Sequence, residues 1–279
     1  MPPTPGVTTR PSTATASTAD MDELHCILFQ DDIVWRNPEA NRTRYGDFFR
    51  RLPEDCDLVL LPEMCMSGFD TGSTETAEPP GGKSHAFFRQ WAMEKGTAIA
   101  AGLAIRENAQ VYNRLLWTFP DGSQEHYDKR HLFRMGEEPR LYTAGQQDCC
   151  IHYRGWNILL QICYDLRFPE SCRNAYRNGK FRYDVLVFAA NWPAARKDAL
   201  MTLARARAIE NQAYVLLCNR VGTDGNGLSY SGNSLIIDYK GQIMASLPEN
   251  TEGFLHTGLS LSALSDFRKK FPSFKDWDT

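Results

Sequence analysis

The sequence predicts an α/β fold built on mixed sheets, and three observations carry that expectation. Apolar strand-like runs alternate with helix-like runs from residue 24 onward, which is how strands covered by helices read. Two pairs of strand-like runs are joined by turn sequences, Asp121-Gly122 and Tyr239-Lys240-Gly241, and hairpins bring antiparallel neighbours into a sheet. The chain of 279 residues has no linker-like break past residue 20 and no internal repeat, so it is long enough to bury one large core.

Residues 1–20 are rich in Thr, Pro, Ser and Ala and carry almost no large apolar group. Such a segment cannot bury enough surface to offset its chain entropy, so a disordered tail is expected, with one domain over residues 21–279. Residues 24–29 read as a first strand, 37–51 as an amphipathic helix, and 57–61 as a second strand that Pro62 ends. A helix is expected over 84–95 and leads into an apolar strand over 97–105. Residues 112–119 and 123–127 form the first hairpin. After a strand over 158–163, residues 169–178 read as a helix, and 184–190 as a largely apolar strand ending at Asn191-Trp192-Pro193. Asp198 is a candidate N-cap for a helix to Gln212, with Leu200, Leu203 and Ile209 on its apolar side. A strand over 213–219 follows, then a run from Gly222 to Gly227 with too much glycine for regular structure. Residues 234–238 and 242–246 make the second hairpin, with Gly241 at its pivot.

Composition narrows the function. A net charge of −3 gives no basic footprint for nucleic acid or an anionic membrane. No run approaches the ~20 apolar residues of a membrane-spanning helix, and no apolar core of a signal peptide follows the first residues. Several of the eight cysteines (Cys26, Cys163, Cys218) lie inside apolar runs, as buried reduced thiols do, so a cytoplasmic location is expected. One Arg and no acid before Asp20 leave organellar targeting by the tail open. The adjacent Cys149 and Cys150 are expected as plain thiols, because a disulfide between neighbours is strained.

The chemistry concentrates in three short segments. Residues 159–170, LLQICYDLRFPE, put Cys163 where an apolar strand gives way to polar residues, so its thiol stands at the lip of a sheet. VLLPEM places Glu63, and HYDKR places Lys129, at similar strand ends. A free thiol is only a few per cent ionised at neutral pH, so a nucleophilic cysteine needs a base or a nearby cation. Glu63 can take the thiol proton. Lys129 can stabilise a thiolate and then the oxyanion of an attacked carbonyl, with the backbone N–H of Tyr164 as a second donor. Each residue alone has an ordinary structural explanation; the set points to cysteine-dependent acyl transfer.

The segments LPEMCMSGF, YDKRHLFRMGEE, CYDLRFPE, ANWPAAR, RARAIENQAYVLLCNRVGTDGNG and KKFPSF together resemble the nitrilase superfamily of carbon–nitrogen hydrolases, in its omega-amidase branch. The resemblance runs from about residue 24 to 274. It implies a four-layer αββα sandwich with two mixed sheets that pairs as a homodimer. It makes Cys163 the nucleophile, Glu63 the general base and Lys129 the cation on the oxyanion side. It also implies an auxiliary glutamate between Lys and Cys, which Glu138 fits best, with Glu137 adjacent. Tyr164-Asp165 after the cysteine favours amides over nitriles. Tyr164, Arg167, Asn191, Trp192 and Phe69 fall where this branch shapes its substrate pocket, and Arg167 could pair with a substrate carboxylate. The substrate implied is a small 2-oxo acid monoamide, 2-oxoglutaramate or 2-oxosuccinamate, with no cofactor.

Other signals weigh little. Gly81-Gly82-Lys83-Ser84 lacks the first glycine and the preceding strand of a phosphate-binding loop. His126 and His131 have no companion ligands at zinc spacing, and no Gly-x-Ser-x-Gly elbow is present. Cys65 is expected in packing. The competing functions are an N-carbamoyl amino acid or aliphatic amidase of the same superfamily, a non-catalytic small-molecule-binding relative, and a redox-sensing thiol protein resting on Cys149-Cys150.

Overall fold

The computed structural model describes residues 22–277; the tail expected over residues 1–20 lies outside the described residues. Two six-stranded mixed sheets dominate. The first is ordered β16-β1-β2-β3-β4-β5, with β1 (Glu23–Gln30), β2 (Leu58–Leu60), β3 (Ala98–Glu107), β4 (Gln110–Thr118), β5 (Gln124–Asp128) and, from the far end of the chain, β16 (Gly253–Ser260). β1, β2 and β3 run parallel; β16, β4 and β5 join antiparallel.

The second sheet is ordered β15-β14-β11-β10-β7-β6. It comprises β6 (Cys150–Tyr153), β7 (Trp156–Ile162), β10 (Val185–Ala189), β11 (Tyr214–Cys218), β14 (Leu235–Ile237) and β15 (Ile243–Ser246). Its centre, β7, β10 and β11, is parallel and its flanks are antiparallel. Both expected hairpins are present, and Gly122 and Gly241 turn at φ 83° and 80°.

Side-chain alternation explains the layering. On β1, Leu24, Cys26 and Leu28 point into an apolar core shared with Ile158, Leu160, Val187 and Leu216 of the second sheet. Ile27 and Phe29 point the other way, onto Phe48 and Phe49 of α1 (Pro38–Arg50) and Phe88 and Trp91 of α2 (Lys83–Lys95). On the second sheet, α4 (Lys197–Asn211) buries Leu200, Ala204 and Ala208, and α5 (Leu261–Lys270) buries Leu264. Helices therefore cover both outer faces, which is the four-layer αββα sandwich.

Several expectations need correction. Helix α3 stops at Pro169–Cys172, and the residues beyond it form a small hairpin, β8 (Tyr176–Arg177) with β9 (Lys180–Phe181). The helical pattern there yields to tertiary bonds: Asn174 Nδ2 donates to the Tyr183 and Asn211 carbonyls, and Arg182 N to Ala175 O. Helix α4 starts after Arg196, so Asp198 lies in its first turn and is not the cap. Its buried face carries Leu200 as expected, with Ala204, Arg207, Ala208 and Asn211, and Leu203 packs at its edge, while Ile209 is 53% exposed. Gly222 belongs to β12 (Val221–Thr223), which pairs with β13 (Ser229–Ser231). β6, β16 and α5 had no counterpart in the sequence reading. All eight cysteines are free, Cys149 and Cys150 included, and Cys65 is packed in the helix-covered core.

Candidate active site

Strand ends from both sheets meet at the site: β2 of the first sheet leads to Glu63, and the parallel strands β7 and β10 of the second lead to Cys163 and Asn191, so carboxyl ends of central strands converge where α/β folds place their ligands. At Glu63 the chain crosses very close to β3: a Cβ on Gly102 would stand 2.5 Å from Glu63 Cα, and only glycine leaves that room. β5 delivers Lys129, whose backbone N–H bonds to Asn113 O on β4 at 2.8 Å.

The polar centre is buried. Lys129 Nζ donates to Glu63 Oε1 at 2.8 Å and to Glu138 Oε2 at 3.0 Å, and none of the three side chains is more than 1% exposed. Asn113 Nδ2 bridges the same carboxylates, at 2.6 Å to Glu63 Oε1 and 2.8 Å to Glu138 Oε1. Glu63 Oε2 accepts from the Asn191 backbone N–H at 2.9 Å, and Asn191 Nδ2 donates to the Glu63 carbonyl. Glu138 Oε2 also takes the Phe133 N–H at 2.6 Å. Glu137, the adjacent alternative, turns outward in left-handed backbone and pairs with Arg140.

Cys163 sits in left-handed backbone at φ 42°, a strained state for a residue with a side chain. Asp165 holds that corner. Its Oδ2 accepts from Ile162 N at 3.0 Å and Tyr127 Oη at 2.9 Å, and its Oδ1 from His131 N at 3.0 Å, with His131 Nδ1 at 2.7 Å. The His131 ring stacks on Phe168 at 3.9 Å. His131 thus serves the corner, and His126 stands apart on the exposed part of β5.

Electrostatics at this centre are uneven. Burial pushes the Cys163 thiol well above its ordinary value; the Glu63 carboxylate pushes it the same way and Lys129 opposes them. Glu63 is raised too, first by burial and then by Glu138, against the pull of Lys129. Burial opposes the charge on Lys129, but Glu138 and Glu63 outweigh it and raise its pKa, so it stays an ammonium. The resting state is a neutral thiol beside a carboxylate that readily takes a proton.

All nine expected site residues except Glu138 line one pocket of about 590 Å³, counting the part open to solvent. Glu138 lies behind it, against Lys129. Phe69 packs its ring 5.1 Å from Lys129 Nζ, and Arg167 lies 4.7 Å over the Trp192 ring. Tyr164 meets Phe133 edge-on at 5.2 Å. Asn191 lines the pocket with its Oδ1 unpartnered, while its N–H and Nδ2 fasten Glu63. Sequence reasoning missed Asn113, Phe133, Arg196 and Tyr230. Phe133 and Arg196 fall inside the family-like segments YDKRHLFRMGEE and ANWPAAR without a role being read from them, and Asn113 appeared only as an amide inside a strand-forming run. Among the described residues one group could hold a metal ion, His25 with Asp55 and His256, and none of these lines the pocket.

Comparison with known proteins agrees with this geometry. The sequence model of the carbon–nitrogen hydrolase family matches residues 28–269. An omega-amidase of Yersinia enterocolitica, YafV, is 42% identical over 258 residues, covering 92% of this chain and 98% of the relative. A 2-oxoglutaramate amidase of Bacillus subtilis is 32% identical, covering 91% and 96%. A carbon–nitrogen hydrolase superfamily protein of Xanthomonas campestris, solved with an arsenic adduct in its active site, superposes with a TM-score of 0.90 at 43% identity, covering 92% and 98%. The strands, the buried carboxylate–lysine centre and these matches together establish that the chain belongs to the carbon–nitrogen hydrolase family, within the nitrilase superfamily.

Proposed function

We propose that the protein is an omega-amidase that hydrolyses the side-chain amide of a 2-oxo dicarboxylic acid monoamide, 2-oxoglutaramate or 2-oxosuccinamate, through a thioester on Cys163. The observation that carries this reading is the junction at the pocket floor, where a neutral buried thiol, a proton-accepting carboxylate and a fixed ammonium meet. The relatives' names supply the substrate class.

In the proposed mechanism Glu63 accepts the Cys163 proton as Sγ attacks the amide carbon. Lys129 and the Tyr164 N–H receive the oxyanion, each such donor being worth about 3 kcal/mol of barrier. The C–N bond breaks as Glu63 returns the proton to nitrogen, and ammonia leaves an acyl thioester. Water then loses a proton to Glu63, adds to the thioester and releases the carboxylic acid, and the proton goes back to sulfur. Glu138 and Asn113 position Glu63 and Lys129; Asn191, Trp192, Phe69 and Arg167 shape the substrate side.

Residues 21–279 form the hydrolase domain. The chain pairs with a second copy, a reading supported by Ile209, Ile243 and Met244, which are 53%, 42% and 41% exposed. Eight free thiols support a reducing cytoplasm. No helix among the described residues is long and apolar enough to cross a membrane.

The test is ammonia release from 2-oxoglutaramate, 2-oxosuccinamate, N-carbamoyl amino acids and simple aliphatic amides. Preference for the two oxo acid amides is expected. Turnover confined to carbamoyl or neutral amides would replace the substrate assignment with one of the sister activities.

A further inference from the structure

Most of the chain's interior and rim arginines are ion-paired: Arg36 with Asp70, Arg44 with Asp31, Arg114 with Asp128, Arg130 and Arg182 with Asp148, and Arg268 with Asp184. Two that line the pocket are different. Arg167 rests its guanidinium on the Trp192 ring at 4.7 Å, and Arg196 rests its own on the Phe133 ring at 5.2 Å. Among the described residues neither guanidinium has a carboxylate within ion-pair distance.

Their platforms are fixed. Trp192 is 3% exposed, its N–H donates to Asn219 Oδ1 at 2.8 Å, and its Nε1 donates to the Arg196 carbonyl at 2.9 Å. The Phe133 N–H is tied to Glu138 Oε2 at 2.6 Å. A guanidinium held over an aromatic ring by cation–π attraction keeps N–H groups available to fork a carboxylate. The one carboxylate in the pocket wall, Glu63, is already engaged by Lys129, Asn113 and Asn191. The pocket therefore carries two guanidiniums with no protein carboxylate within ion-pair distance, while its one ammonium, Lys129, is already paired. A neutral amide offers the two guanidiniums no counter-charge, whereas an amide ending in a carboxylate supplies the anion for a bidentate, charge-assisted pair.

We propose that Arg196 and Arg167 form a two-guanidinium clamp for the substrate's free carboxylate, so that the pocket selects amides that carry a terminal carboxylate over neutral ones. This deepens the omega-amidase reading and rests on it for the identity of the substrate, but the clamp answers to any carboxylate-bearing amide. Arg196 is the residue that the sequence did not single out.

The experiment compares kcat/KM for 2-oxoglutaramate with that for a neutral aliphatic amide of similar length, in the wild type and in Arg196→Met, Arg167→Met and Arg196→Lys. The ratio of the two should fall roughly tenfold to hundredfold in each Met variant, the span expected for a charge-assisted hydrogen bond. KM should carry most of the change, and Arg196→Lys, which keeps charge without the fork, should lie between. A parallel arm titrates 2-oxoglutarate into Cys163→Ala protein by calorimetry, with and without Arg196→Met, so that binding is read without turnover. An unchanged ratio, or equal binding of the dicarboxylate with and without Arg196, would overturn the clamp. A wild type that ignores 2-oxoglutaramate but hydrolyses another carboxylate-bearing amide would sink the substrate reading, and the ratio measured on that substrate would still decide the clamp.

Discussion

Replacing Lys129 with methionine keeps the length of the side chain and removes its charge, and the consequences can be worked out in advance. The ammonium lies 2.8 Å from Glu63 and 3.0 Å from Glu138, sealed from solvent. Removing one member of a buried ion pair leaves uncompensated charge and costs about 3–5 kcal/mol. Here two carboxylates would be left, bridged only by Asn113. At about 2–4 °C per kcal/mol for a domain near this size, the unfolding midpoint should drop by roughly 6–20 °C.

The variant should also respond differently to pH. Burial already raises Glu63, and Lys129 is the chief group opposing that rise. A carboxyl whose pKa is higher folded than unfolded stabilises the protein fully below its unfolded value, and loses that contribution as pH rises through the folded one. The deficit of Lys129→Met should therefore be larger at pH 8 than at pH 5. Calorimetric unfolding at both pH values reads this directly, and turnover should fall by about 10²–10³ through loss of an oxyanion donor. A midpoint within ~2 °C of wild type at both pH values, under the same conversion, would refute the view that Lys129 neutralises this centre.

Three other outcomes follow from the same geometry. Asn113→Leu, which removes the amide bridging Glu63 and Glu138, should lower kcat by about 10–100-fold through misplacement of the base, read by steady-state kinetics. Asp165→Asn withdraws an acceptor from Ile162, Tyr127 and His131, and should destabilise the fold by about 1–3 kcal/mol in urea denaturation while also slowing turnover. In the pH profile of kcat/KM, activity needs ionised Glu63, so the acidic limb should lie above the ordinary carboxylate value of 4.5. With the Cys163 thiol held well above 9.0, no rise reporting a free thiolate should appear near that pH.

Much of this site could be read from the sequence because its parts obey local rules. Cys163, Glu63 and Lys129 each follow a strand that the sequence marks, two of them by an apolar run and one by a hairpin, and the carboxyl ends of such strands are where α/β folds gather their chemistry. The expected strands of both hairpins hold because Gly122 and Gly241 occupy left-handed turn positions. What stayed hidden depends on distant partners. Asn113 is one amide within a strand, and its meaning appears only when β2, β5 and the segment at Glu138 close around it. Arg196 lies in a solvent-facing turn and gains a role from Phe133 across the pocket. Glu137 and Glu138 are neighbours whose difference is set by a backbone turn at φ 61°. The overlong helix after Pro169 failed for the same reason, since Asn174 is bound to Tyr183 and Asn211.

The central claim is that Cys163 carries the acyl group, and rapid-quench intact-mass and peptide mapping during turnover of 2-oxoglutaramate tests it most directly. The account predicts a transient acyl adduct on the peptide bearing Cys163 in the wild type, and neither adduct nor ammonia release in Cys163→Ala. An adduct on another residue, or turnover that survives the loss of the thiol, would contradict it.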